Sequence, residues 1–320
     1  MKIIKFIAIL AVSVVLLSAA FITIFGSMGD KTASTSDTQA VENISQDISS
    51  DKTNSDSNTD SAVLSGENES TAGADSEAVQ ETVKTVLGDV TIGDIGSLSA
   101  ESIVWGPGVS FNDDNQPTAC VTLQEKYGDI GAVFVNDDDK IYLTFDLGYE
   151  SGFTNDILDV LKANNVKATF FVTGSYAEKQ GEIVQRIIDE GHTVGNHSWS
   201  HPDMTTLNDA DAALEITKVH DIVKEKYGYE TYLFRFPAGT FSEKTLAIAA
   251  QTGHHSVFWS FAYNDWDNVN QPDTTEALKK TTDRLHPGAV YLLHPMETNS
   301  KILGDLIANA KAAGYEIGVF

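Results

Sequence analysis

The sequence predicts an α/β fold, a barrel of about seven parallel strands surrounded by helices, and two observations carry this prediction. From Lys140 onward, short runs rich in β-branched and aromatic residues alternate with stretches that carry apolar residues at helical spacing. About 215 residues from Trp105 onward contain the aromatic and aliphatic side chains of one well-buried domain. A doubly wound open sheet is the alternative, because it is built from the same alternation.

The N-terminal residues 1–29 are predicted to reach the membrane. Lys2 and Lys5 precede an uncharged run, Phe6–Phe25, which is long enough for a helix that spans a bilayer. A cleaved signal peptide is the alternative, since Ser18-Ala19-Ala20 has the small residues of a cleavage site. Either interpretation places the rest of the chain outside the cytoplasm, in a membrane-anchored or a secreted form.

Residues 30–82 differ in composition from everything that follows. Small and polar residues dominate them, and twelve acidic residues with two lysines give them a net charge of −10. Such a segment has too little apolar surface to offset the entropy lost on folding, so we expect a disordered acidic tether. Residues 83–320 carry −17 of the total charge of −25, which argues against nucleic acid and anionic lipid as partners of the folded part.

Residues 83–136 are rich in turn-forming residues and are expected to form an extension packed on a domain of residues 137–320. Seven strands are predicted in that domain, over residues 141–145, 166–172, 192–194, 232–236, 256–261, 289–293 and 316–320. Six helices are predicted between them, over residues 155–164, 177–190, 209–226, 243–252, 274–285 and 301–313, with Asn208 and Ser242 as N-caps. The single cysteine, Cys120, cannot form an internal disulfide, so the core alone must stabilise the domain.

The strongest candidates for chemistry all lie at or just beyond the end of a predicted strand. In chain order they are Asp146, His197, His201, Arg235, Pro237, Asp265, Trp266 and His294. Active sites of (β/α) barrels lie at the C-terminal ends of the strands, so these residues are expected to surround one mouth of the barrel. Polar residues placed at random would instead be scattered over the helix faces and the opposite rim.

Several of these side chains are expected to work in pairs. His197 and His201 would lie on one face of a helical turn, where both imidazoles could reach a divalent ion, although two surface histidines can share this spacing. Arg235 lies between two phenylalanines and is expected to pair with a buried carboxylate, for which Asp146 is the candidate. Asp265 offers a way to hold the ring of His294 and to keep it charged.

The aromatic residues near these positions have two interpretations. They either belong to the core or form a flat apolar wall for a sugar ring; they are Tyr149, Trp199, Phe241, Trp259 and Trp266. The other histidines have no comparable neighbours and are expected to be structural or exposed; they are His192, His220, His254, His255 and His286.

Five motifs in this order resemble those of the polysaccharide deacetylase family, also called the NodB-homology domain or carbohydrate esterase family 4. They are Thr144–Gly148 (TFDLG), His197–His201 (HSWSH), Arg235–Gly239 (RFPAG), Asp265-Trp266 and Leu292–His294 (LLH). The resemblance spans about residues 137–320. It is closest to the branch that deacetylates peptidoglycan N-acetylmuramic acid, which includes the enzymes that form muramic δ-lactam.

The resemblance implies a deformed (β/α) barrel that hydrolyses the N-acetyl amide of a cell-wall glycan and releases acetate. Asp146 would be the general base, oriented by Arg235, and His294 would be the general acid, tuned by Asp265. His197 and His201 would hold a divalent metal ion, usually zinc. The expected substrate-binding residues are Tyr149, Trp199, Pro237, Phe241 and Trp266.

One position departs from the family pattern. The family's usual third metal ligand is an aspartate directly after the base, and here this residue is Leu147, which has no lone pair to donate. Glu150, Asp203 or substrate oxygens are the candidates to replace it. In the peptidoglycan branch this position also varies, so the departure does not by itself remove activity.

Several functional alternatives stay open at this point. The acetyl group could belong to N-acetylmuramic acid, N-acetylglucosamine or a secreted polysaccharide. A catalytically impaired relative that only binds glycan, or a metal-dependent hydrolase of another amide or ester, would share the motifs. A non-enzymatic surface anchor would leave the buried charges unexplained. We expect a monomer that contacts the membrane only through its N-terminal segment.

Overall fold

The computed structural model of the chain describes residues 81–85 and 88–320, which belong to one compact unit. The expected membrane segment, residues 1–29, and nearly all of the expected tether, residues 30–82, lie outside the described residues. Within the described ranges, no helix combines the length and the apolar composition that crossing a membrane requires.

A curled sheet of parallel strands forms the centre of this unit. The strands of the described residues are β1 (Glu81–Thr85), β2 (Gly88–Ile92), β3 (Ile103–Val104), β4 (Ala132–Val133), β5 (Lys140–Leu147), β6 (Thr169–Val172), β7 (Thr193–Asn196), β8 (Leu233–Phe234), β9 (Thr240–Phe241), β10 (His255–Val257), β11 (Ala289–Leu293) and β12 (Glu316–Gly318). Two antiparallel pairs, β1 with β2 and β3 with β9, lie outside the parallel sheet. Seven of the strands lie side by side in the order β11, β5, β6, β7, β8, β10, β4, and β12 pairs with the start of β5. A parallel bridge between Phe261 and Tyr291 joins the segment after β10 to β11. The sheet is a curled half-barrel, which confirms the predicted parallel α/β architecture but is less closed than the barrel that the sequence predicted.

Helices follow the strands of this sheet and cover its outer face. They are α1 (Thr118–Tyr127), α2 (Thr154–Ala163), α3 (Gly174–Lys179), α4 (Gly181–Asp189), α5 (Asp209–Tyr227), α6 (Glu243–Gln251), α7 (Thr274–Thr282) and α8 (Glu297–Ala312). Asn208 caps α5 as predicted, and Ser242 caps α6 in a reciprocal capping box with Thr245. The single helix predicted over residues 177–190 is two helices, because the backbone leaves helical geometry at Gln180.

The two faces of β5 have different surroundings, and this difference places the catalytic candidates. Leu143, Phe145 and Leu147 pack in the large apolar core between the sheet and the helices. Successive side chains of a strand point to opposite faces, so Tyr142 and Asp146 point to the inside of the half-barrel. Tyr142 packs there in a smaller apolar cluster. Asp146, at the carboxyl end of the strand, therefore faces the mouth.

The extension ahead of β5 is part of the folded unit. Its strand β4, which the sequence did not predict, joins the sheet by pairing with β10. Val90 and Ile92 pack on Ala247 and Ala250 of α6. The side-chain amide of Asn115 donates to the carbonyl oxygens of Asp283 and Leu285, both at 3.1 Å.

Candidate active site

A cavity of about 1050 Å³ lies at the carboxyl ends of the parallel strands. Four of the six predicted polar residues line it, namely Asp146, His197, His201 and His294. Arg235 and Asp265 are fully buried behind this wall, where each contacts one of the four. The structure therefore brings the six polar candidates together, as their positions after strands predicted.

Asp146 and Arg235 form a buried ion pair. The Nη1 atom of Arg235 donates to Oδ1 of Asp146 at 2.8 Å, and the two side chains are 0% and 8% exposed. Burial alone would raise the pKa of Asp146, but the charges of Arg235, His197 and His294 and the hydrogen bond from Arg235 lower it below the ordinary value. The carboxyl group is therefore ionised at neutral pH and can accept a proton.

Arg235 is held by further contacts beside its pair with Asp146. Its Nε and Nη2 atoms donate to the carbonyl oxygens of Val257 at 3.0 Å and of Phe258 at 3.2 Å. The guanidinium lies 4.1 Å from the ring centre of Phe171, and this ring in turn lies where a Cβ atom of Gly195 would be. A larger residue than Gly195 would displace the ring, so the glycine is required for this packing.

His197 and His201 lie near each other, but the segment between them is not helical, contrary to the prediction. Strand β7 ends at Asn196, and Ser198 (φ 65°) and His201 (φ 59°) adopt left-handed backbone conformations. The two ring centres are 4.9 Å apart. The histidines thus come together through a tight turn after a strand. Strained backbone conformations of this kind are typical of functional sites.

The protonation of His197 suits a metal ligand. Its Nδ1 atom lies 2.9 Å from the carbonyl oxygen of Arg235, and because a carbonyl only accepts, Nδ1 carries the proton and Nε2 keeps its lone pair. Burial lowers the pKa of His197 to about 4, so the ring is neutral at neutral pH. Nε2 lies 3.5 Å from Oδ2 of Asp146. Two imidazoles on one wall of the cavity thus fit a divalent ion.

A third protein ligand is not supplied by the residues that the structure describes. Among them, no group of three or more His, Cys, Asp or Glu side chains is arranged to hold a metal ion. Glu150 instead accepts hydrogen bonds from Gly152, Thr154 and Tyr176. Asp203 accepts hydrogen bonds from the backbone and hydroxyl of Thr205. Both carboxylates are therefore engaged in holding local turns.

Asp265 and His294 form the second pair. Nδ1 of His294 donates to Oδ1 of Asp265 at 2.8 Å, which leaves Nε2 as the ring nitrogen available to a substrate. The imidazole is 24% exposed, whereas the carboxylate is buried. Burial would lower the pKa of His294, but the hydrogen bond and charge of Asp265 and the charge of Asp146 raise it. The pair therefore favours the protonated form of the ring.

The predicted substrate-binding residues divide into two groups. Tyr149 and Trp266, which are 50% and 58% exposed, line the cavity together with Trp199, and the Tyr149 hydroxyl donates to the carbonyl oxygen of Trp266 at 3.1 Å. Pro237 and Phe241 are buried and do not line it. Phe241 instead packs in the aromatic core, so the structure does not bring these two side chains to the cavity.

Sequence reasoning missed two residues of the site. Asn299, in the first turn of α8, donates to the Asp265 carboxylate, and Tyr263 lines the cavity and donates to Asn299. Neither lies in one of the five motifs. The signal that could have found Asn299 is a polar residue on the buried face of an amphipathic helix.

With this geometry in place, comparison with known proteins identifies the family. The polysaccharide deacetylase family model matches residues 135–257. The peptidoglycan-N-acetylmuramic acid deacetylase PdaA of Bacillus subtilis is 39% identical over 219 residues, which are 67% of this chain and 83% of PdaA. The chain belongs to the polysaccharide deacetylase family. This confirms the resemblance drawn from the five motifs, and with it the expectation of an enzyme.

The solved structure of PdaA and one further relative support this membership in the family. The solved structure of Bacillus subtilis PdaA, a family 4 carbohydrate esterase, matches with a TM-score of 0.66 and 37% identity over 69% of this chain and 96% of that chain. A peptidoglycan-N-acetylglucosamine deacetylase of Bacillus cereus is 39% identical over 155 residues, 48% of this chain and 55% of that enzyme. The half-barrel is therefore the fold of this family.

Proposed function

We propose that this chain hydrolyses the N-acetyl groups of a cell-wall glycan, on N-acetylmuramic acid or N-acetylglucosamine of peptidoglycan, and releases acetate. The observation that carries the proposal is the convergence of two pairs on one cavity, Arg235 with Asp146 and Asp265 with His294. The first lowers the pKa of a carboxyl group and the second raises that of an imidazole. Opposite shifts of this kind separate a general base from a general acid.

Asp146 is the proposed base. Its ionised carboxylate takes a proton from a water molecule as the water oxygen bonds to the acetyl carbonyl carbon. Arg235 holds Oδ1 in place, so Oδ2 is the oxygen that accepts this proton. The cost of burying the carboxylate is offset chiefly by the guanidinium cation of Arg235, through its charge and its hydrogen bond.

His294 is the proposed acid. As the carbon–nitrogen bond breaks, Nε2–H donates its proton to the leaving nitrogen, which departs as the amine of the sugar. Asp265 keeps the imidazole in the tautomer and orientation that this transfer needs, since its carboxylate accepts from Nδ1. The acetyl carbon retains the water oxygen and leaves as acetate.

A divalent cation, for which zinc is the family's usual choice, would be held by His197 and His201 and would polarise the acetyl carbonyl. The Arg235 carbonyl oxygen contributes by fixing the His197 tautomer that leaves Nε2 unprotonated. With two imidazoles as protein ligands, the affinity for the ion is expected to be lower than in a site with three protein ligands.

The shape and polarity of the cavity suit a neutral sugar. Its volume of about 1050 Å³ exceeds the range of about 300–1000 Å³ that is typical of small-ligand pockets, which leaves room for more than one sugar ring. Tyr149, Trp199 and Trp266 supply aromatic surface for the ring faces. Among the described residues, neither lysine nor arginine lines this cavity.

The proposed location is the cell surface. Residues 1–29 would anchor the chain or direct its secretion, and residues 30–82 would tether the catalytic unit at a distance from the membrane. The extension of residues 83–136 and the domain of residues 137–320 would act as one monomeric unit. The excess of negative charge keeps this unit from binding other polyanions.

Acetate release from purified peptidoglycan strands tests the proposal. The full-length chain would be assayed as purified, after chelation and after zinc is restored, on strands with and without their peptide stems and on N-acetylglucosamine oligomers. We expect release that chelation abolishes and zinc restores. Asp146→Asn, which keeps the size of the side chain, is expected to bind the strands without releasing acetate.

The other outcomes identify the alternatives. Binding of strands by the wild-type chain without any acetate release would favour a glycan-binding relative that has lost activity. Release from a non-glycan amide or ester at a higher kcat/KM than from strands would favour a hydrolase of another substrate. Release that is indifferent to chelation would contradict the metal role of His197 and His201 and leave the deacetylase intact.

A further inference from the structure

Asn299 makes an unusually complete set of contacts for a helical asparagine. It is 1% exposed, and both protons of its Nδ2 atom are used, one on Oδ2 of Asp265 at 2.6 Å and one on the carbonyl oxygen of His294 at 2.8 Å. Its Oδ1 atom accepts from the hydroxyl of Tyr263 at 2.6 Å. The opposite orientation of the amide would aim Oδ1 at a carboxylate and a carbonyl, so the network allows one orientation only.

These contacts hold the two groups that position the His294 imidazole, namely the Asp265 carboxylate and the His294 backbone. Oδ2 of Asp265 accepts from Asn299 and from the backbone N–H of His294, which leaves Oδ1 for the imidazole. Asn299 also donates to the His294 carbonyl, which lies just beyond the end of β11 and accepts a second hydrogen bond from the backbone N–H of Met296 at 2.8 Å. The carboxylate and the backbone that carry the imidazole are thus tied to the same side chain.

Other residue types cannot replace this arrangement. An aspartate at this position has only acceptor oxygens and could not donate to the Asp265 carboxylate or the His294 carbonyl. A serine or threonine has a single hydroxyl proton and could donate to only one of these two acceptors. A leucine of similar size would leave the buried Asp265 carboxylate short of one donor. A carboxamide on the first turn of α8 is the group that supplies two donors and one acceptor within this distance.

We propose that Asn299 is a positioning residue for the proposed deacetylation, holding the Asp265 carboxylate and the His294 backbone so that the imidazole presents Nε2 to the leaving nitrogen. The inference rests on the proposed function for its catalytic consequence only. The coupling of Asn299 to His294 is a property of the folded chain and can be measured without any substrate.

The variant Asn299→Ala tests this in the full-length chain. Since misplacing a catalytic group by about 1 Å can cost about 100-fold in rate, we expect kcat to fall about 10- to 100-fold with KM within about twofold. The alkaline limb of kcat/KM should move to lower pH, because Asp265 then supports the protonated imidazole less well. In protein labelled at histidine, the NMR titration of His294 should shift in the same direction.

Thr298 provides the matched control. It lies on the same turn of α8, is 3% exposed, and its hydroxyl donates to the carbonyl oxygen of Pro272 at 2.8 Å without contacting Asp265 or His294. Thr298→Val therefore removes a buried hydrogen bond from the same turn. We expect it to lower stability while leaving kcat, the alkaline limb and the His294 titration unchanged.

Three results would overturn the inference. The first is a His294 titration that is the same in Asn299→Ala and in the wild-type chain. The second is a loss of kcat no larger than that of Thr298→Val, and the third is a loss confined to KM. If Asn299→Ala does not fold, the test uses the wild-type chain. The NMR chemical shifts of the Asn299 side-chain amide should then change with pH along with the titration of His294, and amide shifts that do not change with pH contradict the proposal. If no substrate is turned over, the proposed function fails while the NMR comparison still decides the coupling.

Discussion

The variant Leu147→Asp would place a carboxylate where most of the family has its third metal ligand, and the structure predicts that it destabilises the chain without completing the site. Leu147 is 0% exposed and packs in the apolar core between the sheet and the helices. The neighbouring Asp146 points to the other face of β5 and into the cavity. A carboxylate at position 147 would therefore be buried among apolar side chains.

The expected loss of stability has two parts. Removing a buried leucine side chain typically costs about 3–5 kcal/mol through lost burial and the remaining cavity. Burying an unpaired polar group adds about 1–3 kcal/mol, so the total is about 4–8 kcal/mol against a typical domain stability of about 5–15 kcal/mol. The variant should be partly unfolded or close to unfolding at neutral pH.

Urea unfolding measured by tryptophan fluorescence tests this, with Leu147→Asn and Leu147→Ala as controls. Leu147→Ala isolates the cavity and Leu147→Asn the uncharged polar group. Burial would raise the pKa of the new carboxyl in the folded state, so folding takes up a proton and stability falls as pH rises above about 4. The gap between the aspartate and asparagine variants should therefore widen with pH.

Calorimetric titration with zinc completes the test. The structure predicts that Leu147→Asp binds zinc no more tightly than the wild-type chain. A variant as stable as the wild type with a zinc affinity at least about tenfold higher, a gain of about 1.4 kcal/mol, would refute the assignment of this side chain to the core.

Further predictions concern the charged pairs and the histidines. Arg235→Met leaves Asp146 buried without its cation, so the pKa of Asp146 should rise and the acid limb of kcat/KM should move to higher pH. Urea unfolding should show a loss of stability of about 3–5 kcal/mol. An unmoved acid limb would show that Arg235 does not tune the base. Asp265→Asn removes the largest cause of the raised pKa of His294, so the alkaline limb should move to lower pH. In the wild-type chain the Asp265–His294 pair contributes its full stability below the ordinary histidine pKa of about 6.5, and this stability is lost as pH rises through the raised pKa of His294. The free energy of unfolding, compared at pH 6 and pH 9, measures this loss. His201→Ala should weaken zinc binding more than about tenfold in competition with a chelator, and equal binding would remove this residue from the ligand set.

The pattern of the sequence was sufficient to predict seven of the eight strands of residues 137–320, and it missed the two-residue strand β9 (Thr240–Phe241). It did not reveal β4, whose two residues, Ala132 and Val133, carry no period and become a strand only by pairing with β10. The strand-end positions of Asp146, His197, Arg235 and His294 predicted their convergence for a topological reason, since parallel strands bring their carboxyl ends to one side.

The aromatic residues show where local reasoning fails. Trp266 and Phe241 have the same apolar character in the sequence, but one is 58% exposed at the cavity and the other is 0% exposed in the core. What distinguishes them is their partners: Phe241 packs against Phe258 and against Phe134, which lies 107 residues earlier in the chain. Burial of this kind is decided by tertiary contacts that no window of sequence contains.

The sequence by itself determined the order of the elements, the family motifs and the absence of a carboxylate at position 147. Only the tertiary structure decided which face of β5 is the inside of the half-barrel, because alternation defines two faces and the curl of the sheet selects one. It also decided that Asn299 reaches Asp265, a residue 34 positions away, since a hydrogen bond at 2.6 Å depends on how the fold brings the first turn of α8 to the segment that follows β10. The chemistry of each side chain is local, and its partners are set by the folded chain.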